Sequence, residues 1–137
     1  MKFELLDHPA DIGFRAYGQS KEELFANCAL ALMAIILDPS EIATHQEWQF
    51  EAEGIDEESL LVNWLNEVLY LVDSRQLAFC TFCVRFAGPN RVLCTALGEV
   101  RNPQKHPVRL AVKAVTYHQL RMSKTPEGWL AEVFVDV

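Results

Sequence analysis

Nowhere does this chain run to the roughly 18 consecutive apolar residues that a membrane-crossing helix needs. Met1-Lys2-Phe3-Glu4 leads into a strand pattern instead of the apolar opening of a signal peptide, which points to a cytoplasmic protein. Basic residues are also few. Twelve Lys and Arg stand against 19 Asp and Glu, for a net charge of -7. A nucleic-acid backbone is held by clustered cations that displace its counterions, so tight unaided binding to RNA or DNA is not expected. The six glycines are scattered, and none falls in a phosphate-cradling pattern. Ser59, Ser74 and Ser123 lack the strand-turn-helix elbow of a serine nucleophile, so the chain by itself does not read as an enzyme.

Cysteine is sparse and badly placed for zinc. Cys80 and Cys83 have knuckle spacing, but they lie in a run, Leu77 to Phe86, that reads as a strand. Side chains alternate there, so Cys80 should join Phe82, Val84 and Phe86 on one face while Cys83 points to the other. With Cys28 on a helix and Cys94 on another strand, reduced and buried thiols are expected.

What the sequence does have is enough apolar material for one core. Half of its 137 residues are hydrophobic and 23% are charged, the balance of a single folded domain. Residues 2 to 6 and 12 to 18 read as strands. Ser20 and Glu23 form a capping box ahead of Leu24, Cys28, Leu32 and Ile35 or Ile36, which recur at helical spacing until Asp38-Pro39 stops them. Glu47 to Glu53 alternates acid and apolar residues as a half-buried strand. Asp56, Glu57 and Glu58 then place negative charge at the start of a second helix. That helix is apolar on several sides, with Asn63, Asn66 and Glu67 as a narrow polar strip, and burial between layers is the expected use. Gly88-Pro89-Asn90 turns a hairpin. An alternating run follows from Val108, and Pro126-Glu127-Gly128 turns into the final strand, Trp129 to Val137. The sum is α+β: one domain, 1–137, a mostly antiparallel sheet with two main helices packed on it.

Two acids flank this pattern. Asp11 follows the first strand and Asp136 lies next to the final residue, Val137. Two carboxylates and a terminal oxygen are hard donors of the kind Ca²⁺, Mg²⁺ and Mn²⁺ take, provided the early and final strands lie side by side. On composition alone the plainer reading is that Asp11 caps a turn and Asp136 is solvated. His118 read alone is a hydrogen-bonded structural histidine, and Lys113 a solvated strand residue. In a regular strand Lys113 and His118 face opposite ways, so both reach one site only if a bulge intervenes.

The segment His8-Pro9-Ala10-Asp11-Ile12-Gly13-Phe14, the helix residues Trp64-Leu65-Asn66-Glu67, the run Val112-Lys113-Ala114-Val115-Thr116-Tyr117-His118 and the closing Val135-Asp136-Val137 together resemble the archease family. Order and spacing agree over essentially the whole chain. The resemblance implies a non-catalytic activator of the RtcB-type RNA ligase of tRNA splicing. Such an activator speeds guanylylation of a ligase histidine by GTP, allows multiple turnover and broadens nucleotide choice. It also implies a divalent cation held by Asp11, Asp136 and a main-chain oxygen of Val137. With it, Lys113 becomes a partner-contact or phosphate-steering residue and His118 a further candidate contact. His8 becomes a ligand to a softer metal or a support for Asp11. The family motif usually reads Thr where this chain has Pro9, which lacks both the hydroxyl and the amide donor. Two rival readings are a metal-dependent hydrolase using the two acids directly, and a chaperone or modulator of a tRNA methyltransferase or another RNA-modifying enzyme, working through the apolar second helix.

Overall fold

A computed structural model describes residues 1–7 and 11–137; His8 and Pro9 lie outside them. Strand β1 (Phe3–Asp7) pairs antiparallel with β2 (Ile12–Gly18), close to the expected limits. The Ser20 hydroxyl then accepts the Glu23 N–H at 3.1 Å and starts α1 (Lys21–Ile36). Leu24, Cys28, Ala29, Leu32 and Met33 on this helix are fully buried. After a single 3-10 turn at Pro39–Glu41 comes β3 (Gln46–Glu53), and then α2 (Glu57–Asp73). The start of α2 is a reciprocal cap. Asp56 Oδ1 accepts the Ser59 N–H at 2.8 Å while Ser59 Oγ accepts the Asp56 N–H at 3.1 Å. Strands β4 (Leu77–Phe86) and β5 (Arg91–Val100) form the expected hairpin, with Gly88 at φ +88 in the turn.

Strand β4 carries a bulge between Phe79 and Thr81. The extra residue resets the alternation, so that Phe79 and Phe82 both face the core, with ring centroids 5.6 Å apart. Cys28 and Cys94 are buried, and loss of solvation pushes the Cys94 thiol up to about 12. Cys80 is half-buried at the bulge. The expectation of buried thiols fails at Cys83, which lies exposed on the outer face, where the pleat directs it.

The alternating run from Val108 is not the long strand its pattern suggests. Only β6 (Ala114–Val115) pairs with the sheet. The Arg109 N–H is taken by the Ile36 carbonyl at 2.7 Å, so this stretch crosses the end of α1 before reaching the sheet. The loop before it is pinned by a buried histidine. His106 Nδ1 accepts the Asn102 N–H at 2.9 Å, which leaves the proton on Nε2, 2.8 Å from Glu99 Oε2. Glu99 also accepts the Ala43 N–H at 2.9 Å and pairs with Lys105 at 2.8 Å. The Ala43 bond first, then Lys105, hold its carboxyl down at about 2.

Strands β7 (Arg121–Thr125) and β8 (Gly128–Asp136) complete a five-stranded antiparallel sheet. Its order is β1-β2-β8, with β6 and β7 sharing the far side of β8. The second sheet is β3-β5-β4. Helix α1 touches β1, β2 and β8 of the first sheet and β4 of the second; α2 touches β3, β4 and β5 as well as β6. The helices therefore form a middle layer, and burial of α2 answers the question its apolar sides raise. Trp64 marks its centre: fully buried, stacked on Phe50 at 5.5 Å, with its indole N–H donating to the Phe25 carbonyl at 3.0 Å.

Candidate metal centre

Strands β2 and β8 lie side by side, the condition under which the two acids can meet. Their register runs from Gly18 opposite Trp129 to Ile12 opposite Val135. One step further along both strands stand Asp11 and Asp136. Opposed residues of an antiparallel pair project to the same side, with Cα atoms about 5 Å apart. Ile12 and Val135 turn toward the core, so the acids turn to the other face. On that face Gly13 lies opposite Phe134. A Cβ on Gly13 would run into the Val133 carbonyl and the Phe134 ring, so only glycine lets the strands close here.

A third segment closes on the same end. Strands β6 and β7 would be one edge strand but for the residues between them: from Val115 to Arg121 the edge advances six residues while β8 retreats only three, from Val135 to Glu132. Residues 116–120 are thrown out as a loop, the interruption that lets His118 escape the strand's alternation. Thr116 is bound to the Phe134 carbonyl through its N–H at 3.2 Å and its hydroxyl at 3.0 Å. The same hydroxyl accepts the His118 N–H at 3.2 Å. Gln119 takes φ +50, and the Leu120 N–H returns to the Tyr117 carbonyl at 3.1 Å. The His118 ring consequently lies against Phe134, with Nε2 3.4 Å from Asp11 Oδ1.

The other candidates fall out as follows. Lys113 is exposed, and its backbone N–H donates to the Asp136 carbonyl at 2.7 Å, which ties the edge to the last residue of β8. Val137 follows directly and is half-exposed. His8 lies outside the described residues. In sequence Asn66 belongs to the polar strip of α2 and to the Trp64–Glu67 segment of the family resemblance, with no site role. Its amide donates to the Val115 carbonyl at 3.1 Å and accepts the Val115 N–H at 2.9 Å. The signal was an asparagine on an otherwise apolar helix, with nothing in the sequence to say what it faces.

Elsewhere on this outer face the charges are matched. Arg15 bridges Glu132 and Glu4 at 2.8 Å each. The Glu132 bond holds its guanidinium more firmly charged, while the Tyr17 hydroxyl and then Arg15 hold the Glu4 carboxyl below its ordinary range. Among the described residues no basic side chain pairs with Asp136, and no group of three or more His, Cys, Asp or Glu side chains is gathered for a metal. Asp11 and Asp136, each one step beyond the last β2–β8 pair, carry hard carboxylate oxygens of the kind that fits Ca²⁺, Mg²⁺ or Mn²⁺ with water completing the shell. An open apolar cleft of about 350 Å³ lies between Leu5, Leu6 and Ile12 of the first hairpin and Ala34 and Ile35 of α1, and neither acid lines it.

Residues 3–137 match the archease protein family (MTH1598/TM1083). Protein archease of Methanosarcina mazei is 41% identical over 140 residues, covering 99% of this chain and 96% of the relative. Protein archease of Pyrococcus furiosus is 39% identical with 99% of each covered. The solution structure of protein 1598 from Methanobacterium thermoautotrophicum superposes with a TM-score of 0.80 at 33% identity, over 98% of both chains. With a family match over nearly the whole chain, relatives near 40% identity and the same fold, the chain belongs to the archease family.

Proposed function

We propose that this protein is a non-catalytic, metal-binding activator of an RtcB-type RNA ligase in the cytoplasm, acting in tRNA splicing and RNA repair. In this reading it promotes guanylylation of the ligase by GTP, permits multiple turnover and broadens the choice of nucleoside triphosphate. Family membership supports it, and one observation carries it: the β2–β8 register, whose last pair, Ile12 opposite Val135, leaves Asp11 and Asp136 next in line on the two strands. The carboxylates of Asp11 and Asp136 and a main-chain oxygen of Val137 would hold the cation. His118 would orient the Asp11 carboxylate, and His8 would support the same end. Lys113, exposed next to Asp136, would meet the ligase or steer phosphate. Bound there, a divalent cation supplies positive charge that can neutralise and position the phosphates of GTP and departing pyrophosphate.

The test is the rate of ligase guanylylation with GTP and divalent metal, at a low ratio of this protein to ligase. Wild type should speed the reaction and convert a single-turnover ligation into a multiple-turnover one. Asp11→Ala and Asp136→Ala should fold but fail to stimulate. Stimulation by both variants equal to wild type would refute the metal mechanism, and no stimulation by wild type would refute the activator role.

A further inference from the structure

The edge of the larger sheet at β6 is two residues long, too short to hold itself in place, yet everything on the third side of the acid pair hangs from it. Ala114 pairs with Asp136, the Lys113 N–H holds the Asp136 carbonyl, and the Thr116 hydroxyl carries the turn that brings His118 to Asp11. Val115 uses neither its N–H nor its carbonyl toward β8; both point away from the sheet, to α2, where the Asn66 amide meets them. A side-chain amide can present an N–H and a carbonyl oxygen at nearly the spacing of a peptide group, so Asn66 stands where the next strand would be. Its own position is fixed by neighbours Trp64, Leu65 and Val68, all fully buried.

We infer that Asn66 is a positioning residue: a one-residue strand mimic through which α2 sets β6, and with it the Thr116–His118 turn, against the acid pair. The inference rests on the metal reading proposed above for its functional consequence, but its structural part stands separately. Groups that orient metal ligands from one layer out typically change metal affinity by about 10- to 100-fold when removed. Leucine, close to asparagine in size and shape, removes both hydrogen bonds without opening space.

The test compares wild type, Asn66→Leu and Val92→Ala. The last leaves a hole in the core of the other sheet, where Val92 is fully buried, and controls for lost stability alone. Amide hydrogen exchange of the metal-free proteins should show Val115 and Thr116 exchanging at least about 10-fold faster in Asn66→Leu relative to α1 amides, and no such local change in Val92→Ala. Titration with Mn²⁺ below the melting range of all three should show affinity about 10-fold or more weaker in Asn66→Leu and unchanged in Val92→Ala. Unchanged exchange at Val115 and Thr116 overturns the strand-mimic role. Faster exchange with unchanged Mn²⁺ affinity, or equal losses of affinity in both variants, overturns the positioning role. If wild type binds no Mn²⁺, the metal reading fails, and the exchange comparison alone decides whether Asn66 holds the edge.

Discussion

Replacing Asp136 with Asn should reverse the order of stability depending on whether metal is present. Asp11 and Asp136 stand one step beyond the last β2–β8 pair, Ile12 opposite Val135, and no basic side chain among the described residues pairs with Asp136. Two unit charges about 5 Å apart in water repel by about 0.8 kcal/mol. A screening length of about 8 Å at physiological salt leaves roughly half, about 0.4 kcal/mol. Asn keeps the shape and the main-chain bond from Lys113 while removing the charge. In EDTA the variant should therefore melt about 1 to 3 °C higher than wild type. With cation at about 100 times its dissociation constant, wild type should gain about 2.7 kcal/mol and overtake the variant, which gains little. Thermal unfolding followed by circular dichroism, with chelator and with metal, measures both. A variant that is less stable in EDTA, or that gains as much from metal as wild type, would refute the argument.

Trp64→Ala should cost about 3 to 5 kcal/mol, because a fully buried ring stacked on Phe50 is lost and the Phe25 carbonyl loses its donor; urea unfolding measures it, and a loss below about 1 kcal/mol would contradict the packing. Glu99 has a folded pKa of about 2, below its unfolded value near 4.3, so its contribution is full above about pH 4.5 and disappears as pH falls toward 2. Glu99→Gln should accordingly be less stable at pH 6, with the gap to wild type closing over that window in chemical denaturation at stepped pH. A tag fused after Val137 crowds the proposed site. Metal affinity by calorimetry should fall more than with a tag on Met1, and equal affinities would remove Val137 from the ligand set.

The helices and most strands were legible because their signals are local. Ser20 and Glu23 mark a start, Asp38-Pro39 a stop, and Glu47 to Glu53 alternates without interruption. The two helix starts show how far this goes: of the Ser20 and Glu23 box only the Ser20 hydroxyl's bond to the Glu23 N–H forms among the described residues, while the full reciprocal cap sits at Asp56 and Ser59, where the sequence disclosed only acidity. What the sequence does not disclose depends on which chain segments meet. The bulge at Cys80 and the ejected 116–120 loop are set by pairing partners, so a pattern of alternation reads through both. Val108 to Lys113 looks like a strand, yet the Ile36 carbonyl takes its Arg109 N–H and draws the run across a helix end. For the same reason the two acids could be named from the residues, whereas the approach of His118 to Asp11 and the Asn66 contact could not.

The central claim is that Asp11 and Asp136 share one cation at the paired ends of β2 and β8. The most direct measurement is a crystal structure of the protein soaked in Ca²⁺ or Mn²⁺, with the ion located by its anomalous scattering. The account predicts one ion with carboxylate oxygens of Asp11 and Asp136 and a main-chain oxygen of Val137 about 2.1 to 2.6 Å away. Carboxylates more than about 8 Å apart, too far to share an ion with bonds of that length, or an ion bound elsewhere in the molecule, would contradict it.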